Sequence, residues 1–322
     1  MNLEKLYQPI RQDMLAVDAM TEARLRSRAS LVRRIAEHIL LGGGKRLRPA
    51  LVLLSSGALG YRGTAHHVLA AVVEFIHTAT LLHDDVVDDS SLRRGHETAN
   101  TLFGNAASIL VGDFFYSRAF EMMVEVGETR VMRVLSEATS VIAEGEVLQL
   151  MNCRNADIGE AEYLDIIRCK TAKFFETAAR IGAILAKAPS GVERSLADYG
   201  MHLGVAFQLI DDVLDYSGVE SEIGKRLGDD LAEGKPTLPL IHVLQNGTPE
   251  QKAHVRKAIE ISGRDDFGKV LSAVRASAAL AYARQKAEAE AELAVAAIQS
   301  LPASPCKDSL LEFPLFAVAR EF

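Results

Sequence analysis

The pattern Asp-Asp-x-x-Asp occurs twice in this chain, each time after a strongly apolar stretch: Asp84-Asp85-Val86-Val87-Asp88 and Asp211-Asp212-Val213-Leu214-Asp215. On a helix, residues four apart stack on one face. Asp84 therefore stacks with Asp88, and Asp211 with Asp215. Like charges at that spacing repel, so helix stability gives no reason for them. A hard divalent cation removes the conflict, because Mg²⁺ takes oxygen ligands and keeps waters and phosphate oxygens as its other partners. One such run is equally well read as a solvated acidic turn. Two runs, each following apolar helix, point to two metal-holding faces. His77 precedes Asp84 by seven residues and falls within about 40° of both Asp84 and Asp88 on a helical projection, so it shares their face. Gly204 and Gln208 share the face of Asp211, where the glycine serves either ligand access or close helix packing.

The remainder of the sequence reads as helix. Apolar residues recur at spacings of three and four, tryptophan is absent, and strand-like alternation is scarce, which predicts an all-α fold. No repeat or low-complexity linker interrupts the 322 residues, so a single domain over 1–322 is expected. The formal charge of −7 disfavours a general nucleic-acid binder. Cys153, Cys169 and Cys306 lack metal-type spacing and read as reduced thiols of a cytoplasmic protein. The N-terminal segment is charged and has no signal-type apolar core. No run approaches the roughly 18 uninterrupted apolar residues of a membrane span.

Basic residues alternate with the acidic runs. Gly42-Gly43-Gly44 ends the N-terminal helical region, and Lys45-Arg46-Leu47-Arg48-Pro49 opens the next helix; it reads as a basic inter-helix loop or as a phosphate-holding turn. A helix over Ala65 to Asp88 leads into a polar loop, Ser90 to Asn100, which carries Arg93-Arg94-Gly95. Those arginines are either counter-charges or bidentate phosphate ligands. Lys170 and Thr171 lie in an apolar helix, where a lysine needs an anionic partner. Glu144, Glu146 and Gln149 have no role readable from sequence. Ser217 to Lys235 forms a long Gly- and charge-rich loop holding Lys225 and Lys235. Metals on one side and cations on the other fit a diphosphate. Its departure needs no nucleophile or general base, because the charge developing on it is stabilised directly.

Together these segments resemble the trans-isoprenyl (polyprenyl) diphosphate synthase family. Asp84-Asp85-x-x-Asp88 with Arg93-Arg94-Gly95 is similar to its first aspartate-rich motif. Phe207-Gln208-x-x-Asp211-Asp212-x-x-Asp215 is similar to the second. Gly43-Gly44-Lys45-Arg46-x-Arg48-Pro49 and Gly228-Asp229-Asp230 through Gly234-Lys235-Pro236-Thr237 match two further blocks. The resemblance is strongest to long-chain bacterial members. It implies an isoprenoid-synthase-type helical bundle around a central cavity, usually a homodimer. It also implies successive condensation of isopentenyl diphosphate onto an allylic diphosphate such as farnesyl diphosphate, giving a C40 or C45 product for the ubiquinone side chain. By this resemblance Asp84, Asp88 and Asp211 hold Mg²⁺, three ions with substrate bound, with Asp85, Asp212 and Asp215 in support. Lys45, Arg48, His77 and Arg94 bind isopentenyl diphosphate. Arg93, Lys170, Thr171, Gln208, Lys225 and Lys235 hold the allylic diphosphate. The catalytic set is Asp84, Asp88, Asp211, Lys170 and Arg93.

Product length is expected to depend on the residues preceding the first run. Short-chain members often carry an aromatic residue five positions before the first aspartate; here Ala79 stands there, followed by Thr80, with Ile76 and Val73 deeper. An open tunnel is therefore expected, with Met122, Met123 or Phe120 as candidate stops. The alternatives are a shorter-chain geranylgeranyl synthase or a non-catalytic partner subunit of a heteromeric synthase; the latter would be expected to lack an acidic run, and both are present. Instead of a basic tail, the chain ends Ala319-Arg320-Glu321-Phe322, leaving open whether Arg320 substitutes.

Overall fold

The computed structural model describes residues 3–41, 43–217, 227–261 and 266–320. In order, its helices are α1 (Leu3–Tyr7), α2 (Arg11–Arg24), α3 (Ser30–Leu41), α4 (Leu47–Ala58), α5 (Ala65–Val87), α6 (Ala99–Phe103), α7 (Asn105–Val126), α8 (Thr129–Asn152) and α9 (Glu160–Ile167). Then come α10 (Lys173–Leu185), α11 (Ser190–Ser217), α12 (Asp229–Ala232), α13 (Leu238–Asn246), α14 (Pro249–Ile261), α15 (Phe267–Ala276), α16 (Ala279–Ala297) and α17 (Pro305–Val318). A 3₁₀ turn, Gln8–Ile10, follows α1, and a π-helical turn, Arg168–Ala172, joins α9 to α10. The described strands are β1 (Leu92–Arg93) and β2 (His96–Glu97). The all-α expectation holds.

The chain packs as two compact units. One comprises Met1–Ser136, Thr177–Ala197 and Ile298–Glu312. Its centre is α5, which packs along α7 and against α4 and α2. Leu69 through Val73, Phe75, Ile76, Ala79 and Leu82 are all buried, so α5 is apolar around most of its circumference. Phe75 meets Phe115 of α7 edge-to-face at 5.1 Å between ring centres. By length and composition α5 alone among the described helices could cross a membrane, but most of it is covered by protein. After α5 the expected loop contains a β-hairpin pairing Leu92 with Glu97 and Arg93 with His96. Arg94 and Gly95 both take positive φ, as a two-residue type I′ turn requires. Beyond the hairpin the chain returns to helix in two segments, α6 and α7, separated at Gly104.

The other unit comprises Glu137–Glu176, Asp198–Ala297 and Phe313–Phe322. The C-terminal part of α11 is its centre: Val205, Leu209, Ile210, Val213 and Leu214 pack with Tyr163, Ile166 and Ile167, and with Ala283 and Ala287 of α16. Gly204 belongs to this packing. A Cβ there would lie 2.5 Å from the Ala172 Cα, so close helix approach, and not ligand access, accounts for the glycine. Helix α16 buries a stripe of alanines, Ala279, Ala283, Ala287, Ala291 and Ala294, and turns its charged residues outward.

Candidate active site

The first acidic run closes α5. Asp88 caps the helix, its N–H bonded to the Asp84 carbonyl at 2.8 Å. Asp84 and Asp88 are half-buried, whereas Asp85 is turned inward and only 2% exposed. The hairpin explains that inward turn. Arg93 donates to Asp85 Oδ1 from Nε at 2.8 Å and from its guanidinium tip at 2.6 Å. Burial pushes the Asp85 carboxyl upward, against the opposing pull of Arg93. Arg93, expected on the allylic diphosphate, is therefore committed to Asp85 in this structure. The two half-buried carboxylates next to one neutralised aspartate form a hard oxygen donor set suited to Mg²⁺.

Beside this run stands a basic cluster. Arg48 donates to the His77 Nε2 at 3.1 Å. Burial first, then the charges of Arg48, Arg94 and Arg93, hold His77 well below the ordinary histidine range, so its ring is neutral and accepts that bond. Arg94 lies against Gly44, where a Cβ would come within 2.7 Å of its Nη1. Lys45 accepts the Tyr7 hydroxyl on its carbonyl, and Arg46, in a left-handed conformation, pairs with Asp18. The sequence reading missed Glu74, one turn before His77. Burial raises its carboxyl, while Arg46, Arg48 and Arg94 pull it down. The spacing of three from His77 was the available signal. Thus Arg48, His77 and Arg94 of the expected isopentenyl diphosphate set share one electrostatic neighbourhood.

The second run lies in α11. Asp211 is partly exposed, with 37% of its side chain accessible. Asp212 is 1% exposed and accepts hydrogen bonds from the Tyr163 hydroxyl and from Gln208 Nε2, the latter at 3.0 Å. Burial, followed by the charge of Asp230, pushes the Asp212 carboxyl well up. Asp215 is fully buried, so the expected outward pair of Asp211 and Asp215 is replaced by one outward carboxylate. Arg320, two residues past the end of α17, completes the arrangement. Its guanidinium lies 2.8 Å from Asp211 Oδ1 and 3.8 Å over the Phe207 ring, and it donates to the Phe207 carbonyl at 3.0 Å. A guanidinium resting on Asp211 stands where a cation fits.

Next to this run a cavity of about 130 Å³ is lined by Lys170, Thr171, Gln208, Asp212, Asp230 and Lys235, with Tyr163, Ile166 and Ile167 among its apolar walls. Lys170 and Thr171 sit in the π-helical turn, a distortion common at functional sites. Lys170 donates to Glu146 and to Gln149, each at 2.6 Å. Those two residues had no role in the sequence reading and now hold the lysine in place. Thr171 donates to Gln208 at 3.0 Å, and Gln208 donates on to Asp212. Lys235 pairs with Glu233 at 2.7 Å. Four of the six expected allylic-diphosphate residues thus converge. Arg93 is not among the cavity's lining residues, and Lys225 lies outside the described residues.

Of the chain-length residues, Ile76, Ala79 and Thr80 lie on α5 and Met123 on α7. Ile76 and Ala79 are fully buried, and Met123 nearly so. Neighbouring Thr80 is half-buried and donates to the His77 carbonyl. Phe120 is 47% exposed.

The polyprenyl synthetase pattern matches residues 29–277. The chain is 52% identical to octaprenyl diphosphate synthase of Escherichia coli K12, over 322 residues that cover 100% of both chains. It is 42% identical over 318 residues to an all-trans-nonaprenyl-diphosphate synthase (geranyl-diphosphate specific) of Rhodobacter capsulatus, covering 98% of each. A solved polyprenyl synthase from Caulobacter crescentus CB15, complexed with calcium and isoprenyl diphosphate, matches with a TM-score of 0.97 and 41% identity, covering 100% of this chain and 98% of that one. In sequence pattern, in identity over its full length and in helical fold, this chain belongs to the polyprenyl synthetase family.

Proposed function

We propose that the chain is a Mg²⁺-dependent long-chain trans-polyprenyl diphosphate synthase that extends farnesyl diphosphate with isopentenyl diphosphate to a C40 or C45 product. The observation that carries this reading is the cavity beside the second acidic run, where Lys170, Thr171, Gln208 and Lys235 face the same space as Asp212. Such a lining binds a polyanion and leaves apolar walls for the attached carbon chain. Lys170, Thr171, Gln208 and Lys235 hold the allylic diphosphate, with Lys225 joining them. Arg48, His77 and Arg94, with Lys45, hold isopentenyl diphosphate. Neutral His77 accepts from Arg48 and so fixes that guanidinium.

Asp84, Asp88 and Asp211 are the proposed ligands of Mg²⁺, three ions with substrate bound, with Asp85, Asp212 and Asp215 setting their surroundings. Bound Mg²⁺ supplies charge stabilisation to the departing diphosphate. The allylic C–O bond breaks, the isopentenyl double bond forms the new C–C bond to the resulting cation, and the released diphosphate takes the proton. The chain's residues position both diphosphates and exclude water from the cation, and no side chain is required as nucleophile.

A homodimer is supported by the exposed apolar residues of α7, Ile109, Leu110, Phe120 and Val124. The whole chain, 1–322, acts as one catalytic unit in the cytoplasm, and its product enters ubiquinone synthesis. The test is incubation of the purified protein with isopentenyl diphosphate, farnesyl diphosphate and Mg²⁺, followed by mass spectrometry of the dephosphorylated products. A dominant C40 or C45 alcohol supports the reading. A ceiling at C20 moves it to a short-chain synthase, and binding of both substrates without elongation moves it to a partner subunit.

A further inference from the structure

We propose that Asp13, His66 and His67 form a binding site for a divalent transition-metal ion of the zinc class, apart from the acidic runs. Asp13 comes from the first turn of α2, and the two histidines are the second and third residues of α5. Along α5, His66 lies 18 residues before Asp84, a rise of roughly 27 Å. Neighbouring helical residues ordinarily project about 100° apart. Here the two imidazole rings instead lie 4.0 Å apart between centroids, tilted by 31°. Both aim Nε2 at one carboxylate oxygen, Asp13 Oδ1, at 3.5 Å from His66 and 2.7 Å from His67. One ligand atom from each of the three residues lies within 4.8 Å of the others.

Those separations suit a metal. Bonds of about 2.0–2.2 Å in a tetrahedral site put neighbouring ligand atoms about 3.4 Å apart. The His66–Asp13 edge already has that length. The His67–Asp13 edge is a hydrogen bond that lengthens when a cation replaces the shared proton. His66 is 9% exposed, packs edge-on to Tyr61 at 5.3 Å, and its Nδ1 is buried without a hydrogen-bond partner. Two imidazoles and one carboxylate select Zn²⁺ over Mg²⁺, and water completes the shell. Bound there, the ion ties α2 to the start of α5.

The test uses the full-length chain stripped of metal, with excess Mg²⁺ to occupy carboxylate-only sites. Co²⁺ is titrated first as a visible probe. One equivalent is expected to give the strong visible absorption of four-coordinate, nitrogen-bound cobalt. That absorption is expected to vanish in His67→Gln and in Asp13→Asn and to persist in Asp84→Asn. Zn²⁺ alone at a hundredfold excess over its Kd should raise the folded-to-unfolded ratio about a hundredfold, and His67→Gln should abolish the rise. His67 is the more exposed histidine, so this variant keeps the test valid if His66→Gln fails to fold. Weak absorption typical of six-coordinate cobalt, or absorption unchanged in His67→Gln and Asp13→Asn, overturns the proposal.

Discussion

Removing the Arg320 side chain tests whether the end of the chain competes with metal for the second acidic run. In Arg320→Ala the protein loses a guanidinium 3.8 Å from the Phe207 ring, two hydrogen bonds to the Ala317 and Phe207 carbonyls, and an ion pair with Asp211. A desolvated cation–π contact contributes about 1–2 kcal/mol, and each hydrogen bond about 0.5–1.5 kcal/mol. Because Asp211 is 37% exposed, its ion pair adds no more than about 0.5–1 kcal/mol. These terms overlap, and a net loss of about 3 kcal/mol is expected. For 322 residues the unfolding entropy is about 0.7 kcal/mol per kelvin, so Tm of the metal-free protein should fall by about 4 °C. Metal affinity should move the opposite way. With Arg320→Gln, Asp211 no longer has to release a guanidinium before accepting a cation, and Mg²⁺ affinity measured with a non-cleavable diphosphate analogue should rise about 2- to 5-fold. Calorimetric titration and thermal melts read the two effects separately. A fall in metal affinity with Arg320→Gln would refute the reasoning, because Arg320 would then be holding Asp211 in its ligand pose instead of occupying it.

In the proposed role of Lys170, Lys170→Ala loses a charge-assisted contact to the allylic diphosphate, and it strands Glu146; the KM for farnesyl diphosphate should then rise roughly 10- to 100-fold, measured by initial rates at saturating isopentenyl diphosphate. His77 has a folded pKa well below its unfolded value of about 6.5, so below pH 6.5 the unfolded chain takes a proton that the folded chain refuses. Its stabilising contribution is complete above that value and is lost as pH falls through it; urea melts from pH 7.5 to 5 should show a smaller loss in His77→Gln than in the unmodified protein. Gly204→Ala should destabilise by about 1–3 kcal/mol, because the new Cβ meets Ala172 at 2.5 Å; a denaturation midpoint unchanged from the parent contradicts the packing account. Ala79→Phe should both lower Tm and shorten the product toward C15 to C20; a C40 product from a folded variant shows that the growing chain does not pass Ala79.

What could be read from the sequence was what lies within one or two helical turns. The stacking of Asp84 with Asp88, and of His77 with both, follows from periodicity alone, as does the helix start near Pro49. What escaped depends on partners distant along the chain. Glu146 and Gln149 look arbitrary until Lys170, more than twenty residues later, places its ammonium between them. Tyr163 becomes part of the site only because Asp212 points inward, and Arg320 only because α17 returns to Phe207. The π-helical turn carrying Lys170 and Thr171 had no sequence signal, since its composition suits an α-helix equally well.

The two acidic runs have the same sequence pattern, and each keeps its second aspartate away from solvent, but by different chemistry. Asp85 is neutralised by a cation, with Arg93 donating twice from the hairpin turned by Arg94 and Gly95. Asp212 is held by neutral donors, Tyr163 and Gln208, and the latter is itself fixed by Thr171. The difference has a mechanical consequence. An arginine at the end of a hairpin strand can leave its carboxylate when a stronger anion, such as a diphosphate, approaches, because guanidinium binds phosphate as readily as carboxylate. A tyrosine buried among Ile166 and Ile167 cannot leave without exposing its hydroxyl and breaking the cavity wall. The proposed substrate binding therefore predicts that the first run changes partners and the second keeps its shape. Arg93→Lys, which keeps the charge and loses the paired donation, should then disturb substrate binding more than stability. Tyr163→Phe should do the reverse, costing about 1–3 kcal/mol of stability through the unsatisfied Asp212 carboxyl. If Tyr163→Phe leaves the melting temperature unchanged while Arg93→Lys lowers it, this division of labour between the runs is wrong.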